Sequence, residues 1–229
     1  MAQITGGGAK ELLKVGRLTV LERVIEEARE ALVDEIVVVS SREKPDLTEA
    51  ALRLGARVAF QDLPRGLADA VACAEVEDEA LILNGDCVYG GGSPAYRIAE
   101  LVRRAIPGCI AVEQVDDAGA NLYGIAEVDE NTGGIKRVLE KPGPEGTSSR
   151  WAVAGRYAFG AAFMAFLSKY CREIELAPGQ EISLTPIFNA GIEAGFDLKA
   201  VPIQPGQERL DCGDPEGYAN ARRNGWRDT

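Results

Sequence analysis

A regular alternation of short β-branched runs with segments whose apolar residues recur at helical spacing constrains the fold of this chain more than any other feature. From Leu18 to Ala31 the apolar positions Leu21, Val24, Ile25 and Ala28 fall on one helical face, with Glu22, Arg23, Glu26 and Glu27 on the other. The run "DEIVVVSS" follows, short and β-branched enough for a strand buried on both faces. The alternation continues with a helix near Leu47 to Leu54, a strand near Val58 to Phe60, a helix from Leu67 to Ala74 and the strand "ALILNG" ending at Gly85. A helix from Tyr96 to Ala105 then precedes the strand "CIAVEQV". Repeated β-α units predict an α/β fold of three layers, a mostly parallel sheet with helices on both faces.

The second half changes character. "LYGIAEVDENTGGIKRVLEKP" reads as a hairpin turning at "DENTGG". "WAVAGRYAF" follows as a strand, "AAFMAFLSKY" as a helix, "ISLTPIFNAGIEAG" as a helix ended by Gly195, and "DLKAVPI" as a strand. With no internal repeat and no low-complexity linker, the 229 residues are expected to form one domain, 1–229, whose second half extends the sheet of the first.

Composition narrows the chemistry. A net charge of −11 argues against a nucleic acid as main partner, because that affinity comes largely from cations neutralising phosphates; a small phosphorylated ligand needs only a few focused basic groups. The 5 cysteines lack CxxC spacing, so neither a disulfide framework nor a zinc site is expected. There is no histidine, which excludes Ser-His and Cys-His nucleophilic catalysis and leaves oxygen ligands for any metal, the preference of Mg²⁺. No apolar run approaches the ~18 residues that span a bilayer, and no basic-then-apolar leader opens the chain, so the expected setting is cytoplasmic, with no membrane partner.

In open parallel sheets ligands bind beyond the carboxyl ends of strands, which directs attention to Asp86 in "LILNGD", beside Gly85. An Asp that merely caps a turn is the competing reading. In "LDCGDPEGY", Asp214 followed by Pro215 makes good helix-start chemistry, which leaves Asp211 as the better ligand candidate. Lys141 in "LEKPG" stands at a strand end, where a solvated lysine is the plain alternative. Gly66 in "QDLPRGLADAV" precedes a helix whose free N–H groups would admit an anionic or planar ligand, or simply marks a structural turn.

The order of the segments "KELLKV", "QDLPRGLADAV", "ILNGD", "YGIAEV", "LEKPG", "AVAGRY", "EISLTPI" and "LDCGDPEGY" resembles that of the sugar-1-phosphate nucleotidyltransferases, and most closely of the bacterial-type UTP–glucose-1-phosphate uridylyltransferases. The resemblance runs from about Thr5 to about Ala221. It implies a Rossmann-like nucleotidyltransferase fold, with a nucleotide-binding half over about 1–105 and a sugar-binding half over about 106–229. It implies Mg²⁺ held by Asp86 and Asp211, Lys10 on the nucleotide phosphates and Lys141 on the sugar phosphate. Gln61 and Gly66 match positions that recognise the uracil edge; Gly124, Glu140 and Val153 match those lining the hexose pocket. The implied substrates are UTP, or another nucleoside triphosphate, and a hexose 1-phosphate, and self-association is a further expectation because relatives are commonly dimers or tetramers.

Two departures matter. The family pattern opens with a strand and a loop of the form AAGxGTR, then xxPxTxxxPK; here "MAQITGGGAK" matches only the second part, with Gln3 and Ala9 at the two prolines and Lys10 at the lysine. The first strand of the sheet and the arginine of the loop are thus expected upstream of Met1 in a longer, active protein, or else the chain is a non-catalytic sugar- or nucleotide-binding or regulatory relative. Asp69 also stands where relatives often carry a histidine.

Overall fold

The computed structural model describes residue 5, residues 8–177 and residues 179–223. Met1 to Ile4, Gly6 and Gly7, which carry most of the glycine-run reading, lie outside the described residues. A one-turn 3₁₀ helix at Lys10–Leu12 leads to two short strands, β1 (Lys14–Val15) and β2 (Leu18–Thr19), paired antiparallel. Helix α1 (Val20–Glu30) starts at a capping box: Thr19 Oγ1 accepts the Glu22 amide at 3.2 Å while the Glu22 carboxylate accepts the Thr19 amide at 2.6 Å. Leu21, Val24, Ile25 and Ala28 form its buried face, as the spacing predicts.

The alternation then proceeds as read from the sequence. β3 (Val37–Ser40), α2 (Pro45–Arg53), β4 (Arg57–Phe60), α3 (Leu67–Cys73) and β5 (Ala80–Leu83) come first. They are followed by β6 (Cys87–Gly90), α4 (Ala95–Arg103), β7 (Gly108–Gln114), the single turn α5 (Asp117–Ala120), β8 (Gly124–Val128) and β9 (Ile135–Glu140). The chain continues through the turn α6 (Gly143–Gly146), β10 (Trp151–Phe159), α7 (Ala161–Glu173), α8 (Leu184–Glu193), β11 (Leu198–Pro202), β12 (Glu208–Asp211) and α9 (Pro215–Arg223). Among the described residues no helix is long and apolar enough to cross a membrane.

The main sheet has 6 strands, in the order β11-β7-β10-β8-β9 with β5 also on β10. β5, β7 and β8 all pair antiparallel with β10 and so share one direction, which β11 also takes by pairing parallel with β7. Most strands therefore point the same way, yet most hydrogen-bonded neighbours are antiparallel, because β10 and β9 run against the rest. Helices cover both faces. Ile110, Val112, Tyr157 and Phe159 meet α7 and α8 through Phe163, Leu167, Ile187 and Phe188, while Cys109 and Ala158 meet α4 through Ile98 and Val102. Adjacent residues of one strand thus feed opposite layers, the period-2 alternation of a pleated sheet.

The first half joins this sheet less fully than its alternation predicts. β3 and β4 form a separate two-stranded parallel sheet, and only β5 reaches the main one. Between β3 and β5 lies a cavity of about 1240 Å³, lined by Val37, Val38 and Val39 on one side and by Leu81, Ile82 and Leu83 on the other. Among the described residues neither strand has a strand partner on the edge that faces it. Lys10, Gly85 and Asp86 stand at its rim.

Candidate active site

Asp86 and Asp211 are 125 residues apart in the chain and meet in space through a ribbon that sequence periodicity does not reveal. β6 and β12 pair antiparallel with Asp211 opposite Cys87, and the Cys212 amide donates to the Asp86 carbonyl at 2.7 Å. The strand-end position expected for Asp86 is correct, whereas Asp211 is the last residue of a strand and not part of the loop beyond one. The two side chains face a common point: a Cβ built on Gly213 would lie 2.9 Å from Asp211 Oδ1 and 3.1 Å from Asp86 Oδ2. Asp214 takes the helix-start role, its carboxylate accepting the Glu216 and Gly217 amides at 2.8 and 2.9 Å.

Lys10 reaches the same place from the other end of the chain. Its Nζ donates to Asp86 Oδ2 at 2.6 Å, with both side chains about one-third exposed (30% and 33%). Burial works against the ammonium, but the hydrogen bond to Asp86 and the charges of Asp86, Glu11 and Asp211 outweigh it, so the Lys10 pKa lies above the ordinary lysine value. The short helix that carries Lys10 is tied to the start of α2: Lys44 bonds Glu11 at 3.2 Å, and the Ala9 amide bonds Asp46 at 3.3 Å.

This arrangement suits a hard divalent cation. An ammonium already sits on one carboxylate as a cationic stand-in, and the glycine leaves open the space both carboxylates face. Among the described residues no cluster of three or more metal-ligating side chains exists. Two carboxylates are nonetheless the protein share expected of Mg²⁺, which keeps waters and takes substrate phosphate oxygens for the remainder.

The predicted base-recognition pair forms a second cluster. Gln61 Nε2 donates to the Gly66 carbonyl and to Asp69 Oδ2, both at 2.9 Å, so Asp69 fixes the glutamine amide. Gly66 has φ +94°, and a Cβ there would lie 2.5 Å from the Ile182 carbonyl oxygen. The close approach that glycine permits at this position is therefore to the chain's own backbone, before any ligand is considered.

Gly124 and Glu140 are register partners across the β8–β9 ladder, as the hairpin reading requires. Glu140 Oε2 accepts the Thr185 hydroxyl at 2.7 Å, and a Cβ on Gly124 would lie 3.7 Å from that same carboxylate oxygen. Thr185 was not singled out from sequence, although it lies inside "EISLTPI". Val153, half-buried on β10, sits at the start of a register irregularity against β7 that ends at Tyr157. Within it Gly155 (φ +70°) packs against Asn84, whose buried Oδ1 has no hydrogen-bond partner among the described residues. Lys141 is exposed just past β9 with φ 45°, a left-handed conformation uncommon outside glycine, and among the described residues no hydrogen bond or ion pair joins it to the carboxylates.

Comparisons with known proteins identify the family. The nucleotidyl transferase family matches residues 1–229. A UTP–glucose-1-phosphate uridylyltransferase of Bacillus subtilis is 28% identical over 210 residues, covering 77% of this chain and 70% of that protein. One from Pseudomonas aeruginosa is 26% identical over 247 residues, covering 93% of this chain and 86% of its own. Among solved structures, a putative glucose-1-phosphate thymidylyltransferase from Bacillus anthracis superposes with a TM-score of 0.82 at 20% identity, covering 100% of this chain and 91% of that one, a likeness of fold. With two carboxylates and a lysine converging at a strand-end edge and the family match spanning its length, the chain belongs to the nucleotidyl transferase family.

Proposed function

We propose that the protein transfers a uridylyl group from UTP to glucose 1-phosphate, giving UDP-glucose and pyrophosphate. The observation that carries this reading is the convergence of Lys10, Asp86 and Asp211 around the space left open at Gly213. The names of its curated relatives supply the nucleotide and the sugar. A phosphate oxygen of the sugar phosphate attacks the α-phosphorus of UTP in line; the new O–P bond forms as the bond to the β-phosphate oxygen breaks, and pyrophosphate leaves with that electron pair. No covalent enzyme intermediate is needed, consistent with a chain that has no histidine.

Asp86 and Asp211 would hold Mg²⁺, which supplies charge neutralisation and a template for the phosphates. Lys10 neutralises the nucleotide phosphates, and Lys141 the incoming sugar phosphate. Gln61 presents its amide to the uracil edge beside Gly66, with Asp69 and the Gly66 carbonyl orienting it. The hexose lies against Gly124, Val153 and Glu140, whose carboxylate is oriented by Thr185. Two phosphates at ~4 Å repel by about 4 kcal/mol per charge pair at an effective dielectric of about 20, so aligning and neutralising them accounts for much of the work.

The test is Mg²⁺-dependent release of pyrophosphate from UTP and glucose 1-phosphate. Asp86→Asn and Asp211→Asn should each lower turnover by about 10²-fold or more, the scale of a few kcal/mol of lost charge stabilisation, with the fold intact by circular dichroism. Saturable UTP binding without any turnover would instead favour a nucleotide-binding relative that does no chemistry.

A further inference from the structure

Among the charged side chains fully withdrawn from solvent, one has no part in the chemistry above. Arg156, on β10, has 0% exposure and lies inside "AVAGRY". Its guanidinium is gripped by Glu27 of α1, 129 residues away, through Nε to Oε1 at 2.6 Å and Nη2 to Oε2 at 2.7 Å. That fork satisfies the charge and leaves further N–H groups to act elsewhere. Nη1 donates to the Asn84 carbonyl at 3.3 Å and to that of Gly155 at 3.0 Å, and Nη2 donates to the Cys87 carbonyl at 2.8 Å. Asn84 and Cys87 bracket Gly85 and Asp86. One side chain thus clamps both ends of the turn that presents the first carboxylate.

The second carboxylate depends on the same clamp. The β6–β12 ribbon is a two-stranded sheet of its own, apart from the main sheet, so strand pairing does not fix its position. Polar anchors do. Arg156 holds Cys87 and stacks 4.9 Å above the Tyr89 ring, while the Tyr89 hydroxyl donates to the Ala154 carbonyl at 2.6 Å. On the other strand Arg209, 9% exposed, pairs with Glu113 of β7 and stacks 4.1 Å over Tyr123. Asp211 lies opposite Cys87, so a shift of the Cys87 backbone displaces the register from which Asp211 projects.

We infer that Arg156 is a positioning residue that sets the separation of Asp86 and Asp211 from the layer behind them, a role that rests on reading those carboxylates as a cation site. Guanidinium geometry is required: five donors in a planar fork can serve Glu27 and the backbone carbonyls together, whereas an ammonium can meet only some of them. Residues behind a metal site that orient its ligands typically control 10- to 100-fold of metal affinity.

The test is binding of Mn²⁺ to the full chain, followed by the electron paramagnetic resonance signal of the free ion with no substrate present. Arg156→Met should weaken Mn²⁺ binding by about 10- to 100-fold, and Arg156→Lys should fall between it and the wild type. Because Arg156→Met strands a buried Glu27, the double substitution Glu27→Leu/Arg156→Met keeps the measurement available by removing both charges while still losing the clamp. Leu167→Ala, in the aromatic core, should lower the unfolding midpoint and leave Mn²⁺ affinity unchanged. If Asp86→Asn and Asp211→Asn abolish Mn²⁺ binding but the folded Arg156 variants bind it like wild type, the positioning role is wrong and the cation site stands. If the two carboxylate variants bind Mn²⁺ normally, the cation site itself fails, and the positioning role with it.

Discussion

The face of the main sheet under α7 and α8 and the β3–β4 pair are built from similar β-branched and apolar runs, yet they are held in different ways. Under α7 and α8, Phe159 and Phe163 sit with ring centroids 4.6 Å apart, and Phe163 also meets Phe166 and Phe196 at 5.8 and 5.2 Å. Packing there is close enough that a Cβ on Gly191 would lie 2.5 Å from the Phe163 ring. β3 instead faces the 1240 Å³ cavity, and its residues Val37, Val38 and Val39 are only half-buried. The comparison separates two jobs. Packing density, hence stability, is concentrated under α7 and α8, while the candidate ligand-handling groups Lys10, Gly85 and Asp86 stand at the rim of the loosely filled side.

The largest effect that would break this comparison is on stability. Phe163→Ala deletes a fully buried ring from the dense side and should cost about 3–5 kcal/mol in a urea unfolding series. Val38→Ala removes a half-buried side chain beside the cavity and should cost about 1 kcal/mol or less. Equal costs would mean that the cavity wall is as tightly packed as the aromatic core, and the division of labour would fall.

A smaller effect should appear at the junction of the two regions, and on binding more than on folding. Gly213 has a backbone any residue can adopt, since its φ lies outside the left-handed range, so conformational freedom is not what selects glycine there. What glycine supplies is space between the carboxylates. In Gly213→Ala the new methyl would press on Asp211 Oδ1, which accepts the Gly213 amide at 2.8 Å, and on Asp86 Oδ2, which Lys10 holds; both are the far ends of side chains that can give by rotating. The unfolding midpoint should therefore hardly move, within the ±0.5 kcal/mol typical of surface changes, while the Mg²⁺ concentration for half-maximal activity rises about tenfold, near 1.4 kcal/mol. A large drop in stability with unchanged Mg²⁺ dependence would show that the glycine serves the ribbon and not the site.

Much of this was legible in the sequence, for reasons that differ from element to element. α1 was readable because its face repeats every 3.6 residues and Thr19 and Glu22 mark its start; the β8–β9 hairpin because "DENTGG" leaves little room for anything else. Asp86 could be picked out by a rule about strand ends, and Asp211 by the helix-start role of its neighbour Asp214. Their convergence could not, because the ribbon that joins them pairs four residues with four others more than 110 positions away and shows no local period. Arg156 was hidden for a related reason: an arginine within an apolar run is ambiguous until its partner is known, and Glu27 lies on the helical face that the spacing sets opposite the apolar stripe. At Gly66 the sequence left both a structural turn and a ligand seat open, and the close approach that glycine permits there is made by Ile182.

The smallest effect concerns the link that Lys10 makes between the two regions. It rides on the short helix tied to α2 on the cavity side and bonds Asp86 at the end of β5 on the main-sheet side. Its folded pKa is raised above the lysine reference of 10.5, so the stability it adds is fully present below that value and is lost as pH rises through the folded pKa. With both partners about one-third exposed the amount is small, on the order of 1 kcal/mol or less. Wild type should thus exceed Lys10→Met in unfolding free energy by that margin at pH 8 and 9, and the gap should close only above pH 10.5. A gap that persists unchanged well above pH 10.5 would show that the Lys10 charge does not carry it, and would remove Lys10 as the ionic link between the dense and the open side of the molecule.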